Sequence, residues 1–374
     1  MVYYDRTIYP AIKAALFKGK VVVIYGARQV GKTTLVKRLL AEYPSDAMYL
    51  NCDEPDIRTA LSEQTSTALR ALIGGRRLVV IDEAQRVRNI GLTLKLMVDN
   101  FPDIQVVATG SSSFELSNQI VEPLTGRKIE FHLYPLSVGE LLTRETPLES
   151  QRLLEHRLRY GMYPEVITGD EPEALIREIA SSYLYRDILE YQTVKNTELL
   201  HRLLQALALQ IGGEVSYNEL ASLLGISKNT IVRYVGLLER GYIIFHLPPF
   251  SRNLRKELSK RRKIFFHDLG VRNALINNFN PLHLRQDVGA LWENFVIVER
   301  MKKNCNQRRY VNTYFWRTYS GAEIDYLEEA EGRLCGLECK WSSKKWRKPS
   351  VFLETYQNSE LHLVNRNNYL DYLV

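Results

Sequence analysis

Short apolar runs alternate with helical patterns in the first part of the chain. Residues 21–25, VVVIY, are uniformly apolar, and apolar residues recur at helical spacing in the following LVKRLLAEY. Two more apolar runs lie in RRLVVIDEAQ, residues 76–85, and in IQVVATGSSS, residues 104–113. Each run predicts a buried strand, and the segment after the first run predicts an amphipathic helix.

The pattern becomes helical after Pro147, through LLEHRLRY and EALIREIASSYLYRDILEY to ELLHRLLQALALQIG. Residues 215–247 then predict a short helix, a turn at Gly225, a second helix capped by Ser227 and an apolar strand. This order is the layout of a winged helix-turn-helix.

The second helix of this motif carries side chains that would face bases if it lay in a major groove: Lys228, Asn229, Thr230 and Arg233. Winged helices also serve as packing or protein-contact modules. Residues 251–263, SRNLRKELSKRRK, hold seven Lys or Arg among thirteen residues. They predict either a phosphate-facing wing or a solvated charged loop.

Near the C-terminus the pattern predicts a helix followed by hairpins. GALWENFVIVERM, residues 289–301, is amphipathic, and residues 313–341 then read as three strands separated by turns at Ser320-Gly321 and Glu331-Gly332. Glu338 and Lys340 lie two apart on the third strand, so their side chains share one face.

The segment GARQVGKTT, residues 26–34, stands between the first predicted strand and its helix. Gly26 and Gly31 let backbone N–H groups face a phosphate, Lys32 reaches the β- and γ-phosphates, and Thr33 offers its hydroxyl to Mg²⁺. ATP and Mg²⁺ are therefore the expected cofactors. The predicted nucleotide-binding residues are Gly26, Ala27, Arg28, Gln29, Val30, Gly31, Lys32, Thr33, Thr34 and Ser111.

Polar residues end the second and third apolar runs. Asp82 is predicted to hold Mg²⁺ and Glu83 to polarise the attacking water. An isolated acidic pair could equally be a solvated strand end. Ser111 or Ser112 could contact the γ-phosphate, although a Ser after Gly is also at home as a helix N-cap. Arg127 and Arg186 are candidates for neutralising charge on the transferred phosphoryl group, with a surface ion pair as the alternative for each.

Three carboxylates are candidates for a second metal site: Glu293 on the predicted helix, Asp325 closing the second hairpin strand, and Glu338 on the third. Together they could hold one or two Mg²⁺ ions, which would polarise a scissile phosphate, while Lys340 orients the attacking water. Acid-x-lysine tripeptides also occur by chance. Trp341 and Trp346, with Lys344, Lys345, Arg347 and Lys348, predict a basic and aromatic lip or a solvated loop.

Six segments give the chain a resemblance to AAA+ ATPases, and more narrowly to bacterial and archaeal ATPases that join an AAA_14 module to a DUF4143 region. They are GARQVGKTT, LVVIDEAQ, ATGSSS, LTGRKIEFHLYPLSVGEL, GMYPEV and YLYRDILEY. The resemblance implies an α/β core with a parallel central sheet. It also implies a homo-oligomer as one possible assembly, in which an arginine reaches a neighbour's nucleotide.

The last hundred or so residues resemble the PD-(D/E)xK nucleases, through Glu293, Asp325 in SGAEIDY, and Glu338 and Lys340 in LECK. Cys339 stands where that family usually has an aliphatic residue. Members of the superfamily can keep the fold and lose cleavage. The expected domains are a P-loop core at 1–146, a helical lid at 147–212, a winged helix-turn-helix at 213–275 and a restriction-endonuclease-like α/β domain at 276–374.

Composition adds little to this picture. A net charge of +7 is compatible with nucleic-acid partners, DNA more than RNA, and also with an ordinary solubility balance. Four scattered cysteines and no long apolar run predict a cytoplasmic protein without a membrane partner. We therefore expect an ATP-hydrolysing AAA+ protein that acts on nucleic acid and carries a metal-dependent nuclease. The alternative is an ATP-dependent switch, scaffold or DNA-binding regulator whose C-terminal domain binds a partner without cleavage.

Overall fold

The computed structural model describes residues 3–110, 123–189, 197–250, 262–318, 320–342 and 346–374, with only the backbone for 182–189. The chain divides into two compact units. We call Asp5–Pro135 with Arg240–Tyr242 the P-loop unit, and Met1–Tyr4, Leu136–Glu239 and Ile243–Val374 the C-terminal unit.

The P-loop unit is built on a parallel sheet of five strands within the described residues, in the order β2-β3-β4-β1-β5. All residues of β1, β3 and β4 are buried, and strands covered on both faces are apolar throughout rather than alternating. The apolar runs therefore predicted these strands correctly. The strands are β1 (Val21–Gly26), β2 (Ala47–Asn51), β3 (Leu78–Asp82), β4 (Gln105–Gly110) and β5 (Lys128–Leu133).

Helices connect these parallel strands. The helix that follows the glycine-rich loop buries Leu35, Val36 and Leu39, which recur at helical spacing on one side. The helices are α1 (Tyr9–Ala14), α2 (Lys32–Ala41), α3 (Pro55–Leu61), α4 (Ser66–Ile73) and α5 (Ile90–Asn100), with a 3₁₀ turn at Ala84–Arg86. The carboxyl ends of the parallel strands therefore lie at one edge of the sheet, where the loop after β1 begins.

The C-terminal unit begins with a helical region. Its helices are α6 (Val138–Leu141), α7 (Pro147–Arg152), α8 (Leu154–Tyr160), α9 (Pro164–Thr168), α10 (Pro172–Leu189) and α11 (Thr197–Leu209). Capping boxes at Ser137 and Thr146 start α6 and α7. The helical periodicity after Pro147 thus predicted the secondary structure of this region.

A winged-helix arrangement follows α11. Strand β6 (Glu214–Val215) precedes α12 (Tyr217–Leu224) and α13 (Lys228–Arg240), and β7 (Ile244–Leu247) and β8 (Arg262–Phe266) complete a three-stranded sheet of described residues, ordered β6-β8-β7. Ser216 caps α12, and Gly225 ends it with φ of 68°, a left-handed conformation that glycine adopts easily. The predicted turn at Gly225 is therefore present.

The last part of the unit is an α/β domain. Its elements are α14 (Leu269–Leu275), α15 (Val288–Asn306), β9 (Asn312–Arg317), β10 (Glu323–Ala330), β11 (Arg333–Cys339), α16 (Ser350–Thr355), β12 (Ser359–Val364) and α17 (Tyr369–Leu373). Strands β9 to β11 are antiparallel neighbours, and β12 runs parallel to β11. The two hairpins and the preceding helix are those that the sequence predicts for a restriction-endonuclease-like α/β domain. The prediction that Asp325 closes the second hairpin strand is wrong: Asp325 is the third residue of β10, because pairing with β9 and β11 continues beyond it.

The pairing of β9 and β10 shifts register between Ile324 and Leu327. Such bulges re-aim side chains and are common next to functional sites. Asp325 lies at this shift. Ile324, next to Asp325, packs with Phe352 and Leu361 in the domain core, so the strand is anchored on the face opposite to that carboxylate.

The division into four domains remains a prediction. Across the described part of the chain, no helix combines the length and the apolar character that a membrane crossing requires.

Candidate functional sites

In the loop after β1, the side chain of Lys32 bonds back to the backbone at the start of the loop. Lys32 Nζ donates to the carbonyl oxygens of Gly26 and Ala27 at 3.0 and 2.8 Å. Gln29 and Gly31 have φ of 59° and 98°, and these left-handed residues curl the backbone around the ammonium. Residues 26–34 therefore form a phosphate-binding loop at the N-terminus of α2.

The glycine at position 26 is required by close packing rather than by its φ. A Cβ there would lie 2.2 Å from the carbonyl oxygen of Leu133 at the end of β5. Backbone atoms cannot move aside as a side-chain end can. Gly26 therefore lets β5 approach the start of the loop.

Asp82 is the centre of a hydrogen-bond network beside this loop. Its Oδ2 accepts from Thr33 Oγ1 at 2.8 Å and from Tyr49 OH at 2.6 Å, and its Oδ1 accepts from Thr109 Oγ1. Burial, followed by Asp82, raises the pKa of Tyr49, so the phenol stays a donor. The structure thus brings together Thr33 and Asp82, the two predicted Mg²⁺ ligands of the nucleotide site.

Glu83 follows in a left-handed conformation, with φ of 54°. Its N–H donates to Thr109 Oγ1 at 3.1 Å, and its Oε2 accepts from Gln85 Nε2 at 2.6 Å. A non-glycine residue with positive φ is strained, and such strain concentrates at functional sites. This backbone conformation ends β3 and directs the chain away from the strand at Glu83. Glu83 therefore lies at the edge of the sheet where the phosphate-binding loop begins.

Three residues of this site were missed in the sequence. Thr109 precedes the predicted Ser111 by two positions, Tyr49 lies on β2, and the Arg6 guanidinium donates to the Val30 carbonyl at 2.8 Å. A polar residue at the end of a buried strand was a signal for Thr109. No local pattern marks Tyr49 or Arg6, because their partners are distant in sequence.

Two of the predicted residues cannot be placed at the nucleotide. Ser111 lies outside the described residues, and so does the side chain of Arg186. Arg127 is described and precedes β5, where its carbonyl accepts from Val21 N at the start of β1. The phosphate-binding loop is at the other end of β1, roughly 17 Å away at 3.3 Å per residue. Arg127 therefore does not reach the nucleotide loop of its own chain, and Arg127 Nε donates to Asp99 at 2.7 Å.

A second candidate site lies in the restriction-endonuclease-like domain. A pocket of about 490 Å³ is lined by Asp325, Glu338 and Lys340, by Glu323, and by Trp346, Arg347 and Lys348 among others. The Lys340 ammonium lies 2.7 Å from Glu338 Oε1. Lys340 directly follows the last residue of β11, and its N–H still donates to the Val364 carbonyl of β12 at 3.0 Å. Glu338 and Lys340 thus share a face, as the strand periodicity requires.

One carboxylate oxygen in this pocket lacks a partner. Glu338 is 5% exposed, and its Oε2 is buried without a hydrogen bond. Burial, and then the neighbouring Asp325, raise the pKa of Glu338 to about 7. A buried oxygen that nothing satisfies is costly, so Glu338 and Asp325 fit a divalent cation, which takes oxygen ligands.

Glu293 is paired elsewhere. Its Oε1 lies 2.9 Å from Nζ of Lys263, whose ammonium also contacts Glu323 Oε1 at 2.5 Å and Asp325 Oδ1 at 3.8 Å. Burial would lower the pKa of Lys263, but the carboxylates outweigh it and raise that pKa. Burial and Asp325 also raise the pKa of Glu293, to about 8.

The three predicted carboxylates therefore do not share one point. Across the described residues, only Cys335, Glu360 and His362 form a set of three such ligand atoms within 4.8 Å of one another. Asp325 and Glu338 face the pocket, whereas Glu293 lies against Lys263. The sequence missed Lys263 and Glu323, although Glu323 lies two before Asp325 on one strand face.

The basic residues predicted to face nucleic acid differ in exposure. Lys228, Asn229 and Arg233 are exposed on α13, as a groove-facing helix requires. Lys263, the last cation of the predicted basic wing, is 3% exposed. It is therefore not a phosphate-facing residue, because β8 carries it into the acidic cluster. Residues 251–261 of that segment lie outside the described residues.

The predicted lip is also split. Trp346, Arg347 and Lys348 line the pocket, but the Trp341 ring packs edge-to-face on Trp292, with ring centroids 5.5 Å apart. Lys344 and Lys345 lie outside the described residues.

Family models place the two candidate sites in different domains. Residues 18–142 match AAA_14, an AAA domain, residues 151–282 match a domain of unknown function, DUF8612, and residues 288–370 match another, DUF4143. The phosphate-binding loop, Asp82 and the parallel sheet thus belong to an AAA-type P-loop ATPase domain.

Similar proteins span most of the chain. An uncharacterized protein of Mycobacterium tuberculosis is 29% identical over 337 residues, covering 89% of this chain and 73% of its own. One of Methanocaldococcus jannaschii is 28% identical over 345 residues, covering 86% and 75%. A Walker-type ATPase of Pyrococcus abyssi shares the fold, with a TM-score of 0.52 and 16% identity over 73% of this chain and 96% of its own. The chain thus carries an AAA_14 domain followed by a DUF4143 domain.

Proposed function

We propose that the protein binds and hydrolyses ATP with Mg²⁺ and uses this activity to act on nucleic acid, which its C-terminal site cleaves. In the P-loop unit, Lys32 would contact the β- and γ-phosphates, Thr33 and Asp82 would hold Mg²⁺, and Glu83 would orient the attacking water. The hydrogen bond from Thr33 to Asp82 supports this assignment, because both groups already point to one place.

The observation that carries the proposed cleavage is the buried, unpartnered Oε2 of Glu338 beside Asp325 and Lys340. A divalent cation there would supply Lewis-acid polarisation of a phosphodiester. Lys340 would offset developing negative charge and hold a water near it. Arg347 and Lys348 would neutralise backbone phosphates, and Trp346 offers a face on which a base can stack.

A second function is favoured by one feature of the same site. Lys263 already compensates part of the carboxylate charge beside Glu293 and Glu323. A domain with this internal compensation could bind nucleic acid or a protein without cutting. In that case the ATPase would act as a switch, or as a regulator that binds DNA through α13. A homo-oligomer in which Arg127 serves a neighbour's nucleotide also remains a proposal.

A cleavage assay separates these functions. Single- and double-stranded DNA and RNA are incubated with the protein and Mg²⁺ or Mn²⁺, with and without ATP. We expect cutting that Asp325→Ala and Lys340→Ala abolish and that the exposed control Asp371→Ala retains. If both pocket variants cut like the wild type, the site is wrong. If no substrate is cut although the protein binds it in a salt-sensitive way, the non-cleaving function is favoured.

A further inference from the structure

The buried ammonium of Lys263 occupies a position that a cation would otherwise fill. It lies within 4 Å of carboxylates from two elements, Glu293 on α15 and Glu323 and Asp325 on β10. A lysine presents three donors and a compact positive charge. Both short contacts, 2.9 Å to Glu293 and 2.5 Å to Glu323, are within hydrogen-bonding distance.

Lys263 is fixed in this place by its strand. It lies on β8, pairs in register with Glu214 of β6 and Leu247 of β7, and is 3% exposed. The winged-helix sheet thus carries a charge into the acidic cluster of the next domain. Strand pairing fixes the backbone of Lys263, and the contacts with Glu293 and Glu323 hold its ammonium.

The two carboxylate oxygens of Asp325 have different neighbours. Its Oδ1 is 3.8 Å from Lys263, whereas its Oδ2 accepts from the Cys339 N–H at 2.8 Å, next to Glu338 in sequence. Glu293 does not line the pocket, but Asp325 and Glu338 do. Because a divalent cation beside Glu293 would meet the ammonium at close range in a poorly solvated place, the two charges would repel. The partnerless Oε2 belongs to Glu338, which lines the pocket and pairs through Oε1 with Lys340.

We propose that Lys263 is a built-in cation that takes the place of a second metal ion beside Glu293, so the pocket binds a single divalent cation between Asp325 and Glu338. This inference rests on the metal-dependent site of the proposed function and adds its stoichiometry. It also assigns Glu293 to positioning Lys263 rather than to holding metal.

Counting bound Mn²⁺ tests the proposal without any cleavage. Nucleotide-free proteins carrying Asp82→Asn, which removes the carboxylate of the nucleotide site, are titrated by calorimetry and by electron paramagnetic resonance. Ions that disappear on adding Asp325→Asn are assigned to the pocket. We expect one such ion in the parent and two in Lys263→Met, with a spin-coupled Mn²⁺ signal in that variant alone.

The matched control is Lys302→Met. Lys302 is 2% exposed and lies 2.7 Å from Glu299 Oε1, so it is also a buried ion-paired lysine. We expect one pocket ion in this variant. Two ions in the parent, or one ion in both the parent and a folded Lys263→Met, would overturn the inference and leave the proposed nuclease in place. The absence of any pocket ion in both proteins would overturn the metal site itself.

A second measurement covers a Lys263→Met protein that does not fold. Glu293→Gln in the parent should change the Mn²⁺ Kd by less than about 3-fold, because Glu293 is no ligand, whereas Glu338→Gln should raise it by at least about 10-fold. Equal losses from both substitutions would make Glu293 a metal ligand and refute the assignment of its place to Lys263.

Discussion

The Thr33 hydroxyl lies 2.8 Å from Oδ2 of Asp82, although 49 positions separate the two residues. Thr33 lies in the first turn of α2, and Asp82 ends β3. Parallel pairing of β1 and β3 with β4 between them brings these ends to one edge of the sheet. The two proposed Mg²⁺ ligands of the nucleotide site are therefore brought together by the sheet.

Thr33→Ala should for this reason impair ATP hydrolysis more than stability. The hydroxyl is half-buried and is lost from the proposed metal shell, so we expect turnover to fall at least about 100-fold, as for other preorganised transition-state contacts. Phosphate release at saturating Mg-ATP measures the effect. Thr59→Ala, on the exposed face of α3, should hydrolyse ATP like the wild type. Equal rates in both variants would remove Thr33 from the site.

Glu83→Gln should separate binding from turnover. The substitution keeps the side-chain shape but removes the base, so we expect unchanged nucleotide affinity and a turnover lower by about 10²- to 10⁴-fold. A fluorescent ATP analogue measures affinity, and phosphate release measures turnover. Glu54→Gln, an exposed acid ahead of α3, is the control. Normal hydrolysis by Glu83→Gln would transfer the role of base to another group.

Gly26→Ala tests why a glycine begins the loop. The new Cβ would meet the backbone carbonyl of Leu133 at 2.2 Å, so β5 or the loop must shift, at a cost of about 1 to 3 kcal/mol of unfolding free energy. ATP affinity should fall with it. Gly75→Ala, where a Cβ meets nothing within 4 Å, should change stability by no more than about 0.5 kcal/mol. Chemical denaturation of both variants gives the comparison, and equal stabilities would show that the loop relaxes freely.

Features that depend on residues close together in the sequence could be predicted, whereas contacts between distant residues could not. Strands buried on both faces are continuous apolar runs, so β1, β3 and β4 could be predicted from a few consecutive residues. The phosphate-binding loop and the Glu338-Lys340 pair are local patterns as well. Their geometry depends on neighbours in the chain and could be inferred from spacing alone.

Lys263 could not be predicted in the same way. In the sequence it ends a basic run that is typical of a solvated wing, and its partner Glu293 is 30 positions away. Only the pairing of β8 with β6 and β7 turns its side chain inward. The prediction that Glu293, Asp325 and Glu338 converge on one metal site was wrong for the same reason. The sequence pattern did not show that the Lys263 ammonium lies near both Glu293 and Asp325.

If the winged helix binds DNA, its affinity should depend on salt concentration. If α13 contacts DNA phosphates and bases, Lys228→Ala and Arg233→Ala should each weaken binding and reduce the slope of log affinity against log salt by about 1 per lost phosphate contact. Fluorescence anisotropy with duplex DNA at several salt concentrations measures both quantities. Arg152→Ala, an exposed arginine on α7, is the control. Slopes unchanged in both α13 variants would leave the helix as a packing module.

The stability of the metal-free protein should decrease as the pH rises, and Glu338 is one cause. Burial and Asp325 raise its pKa from 4.5 to about 7, so the folded state holds a proton that the unfolded state releases. This contribution is present below pH 4.5, declines above it and is lost once the pH exceeds about 7. We expect Glu338→Gln to reduce the decline by on the order of 1 to 3 kcal/mol.

Divalent ions should counteract this loss of stability at higher pH. Mg²⁺ or Mn²⁺ competes with the proton for the carboxylate, so the stabilisation by a fixed ion concentration should be larger at pH 8 than at pH 6. Thermal unfolding at both pH values, with and without the ion, measures the difference in wild type and in Glu338→Gln. Asp371→Asn, at an exposed acid on α17, should behave like the wild type. An identical ion effect at both pH values in the wild type would mean that Glu338 does not exchange its proton for a metal.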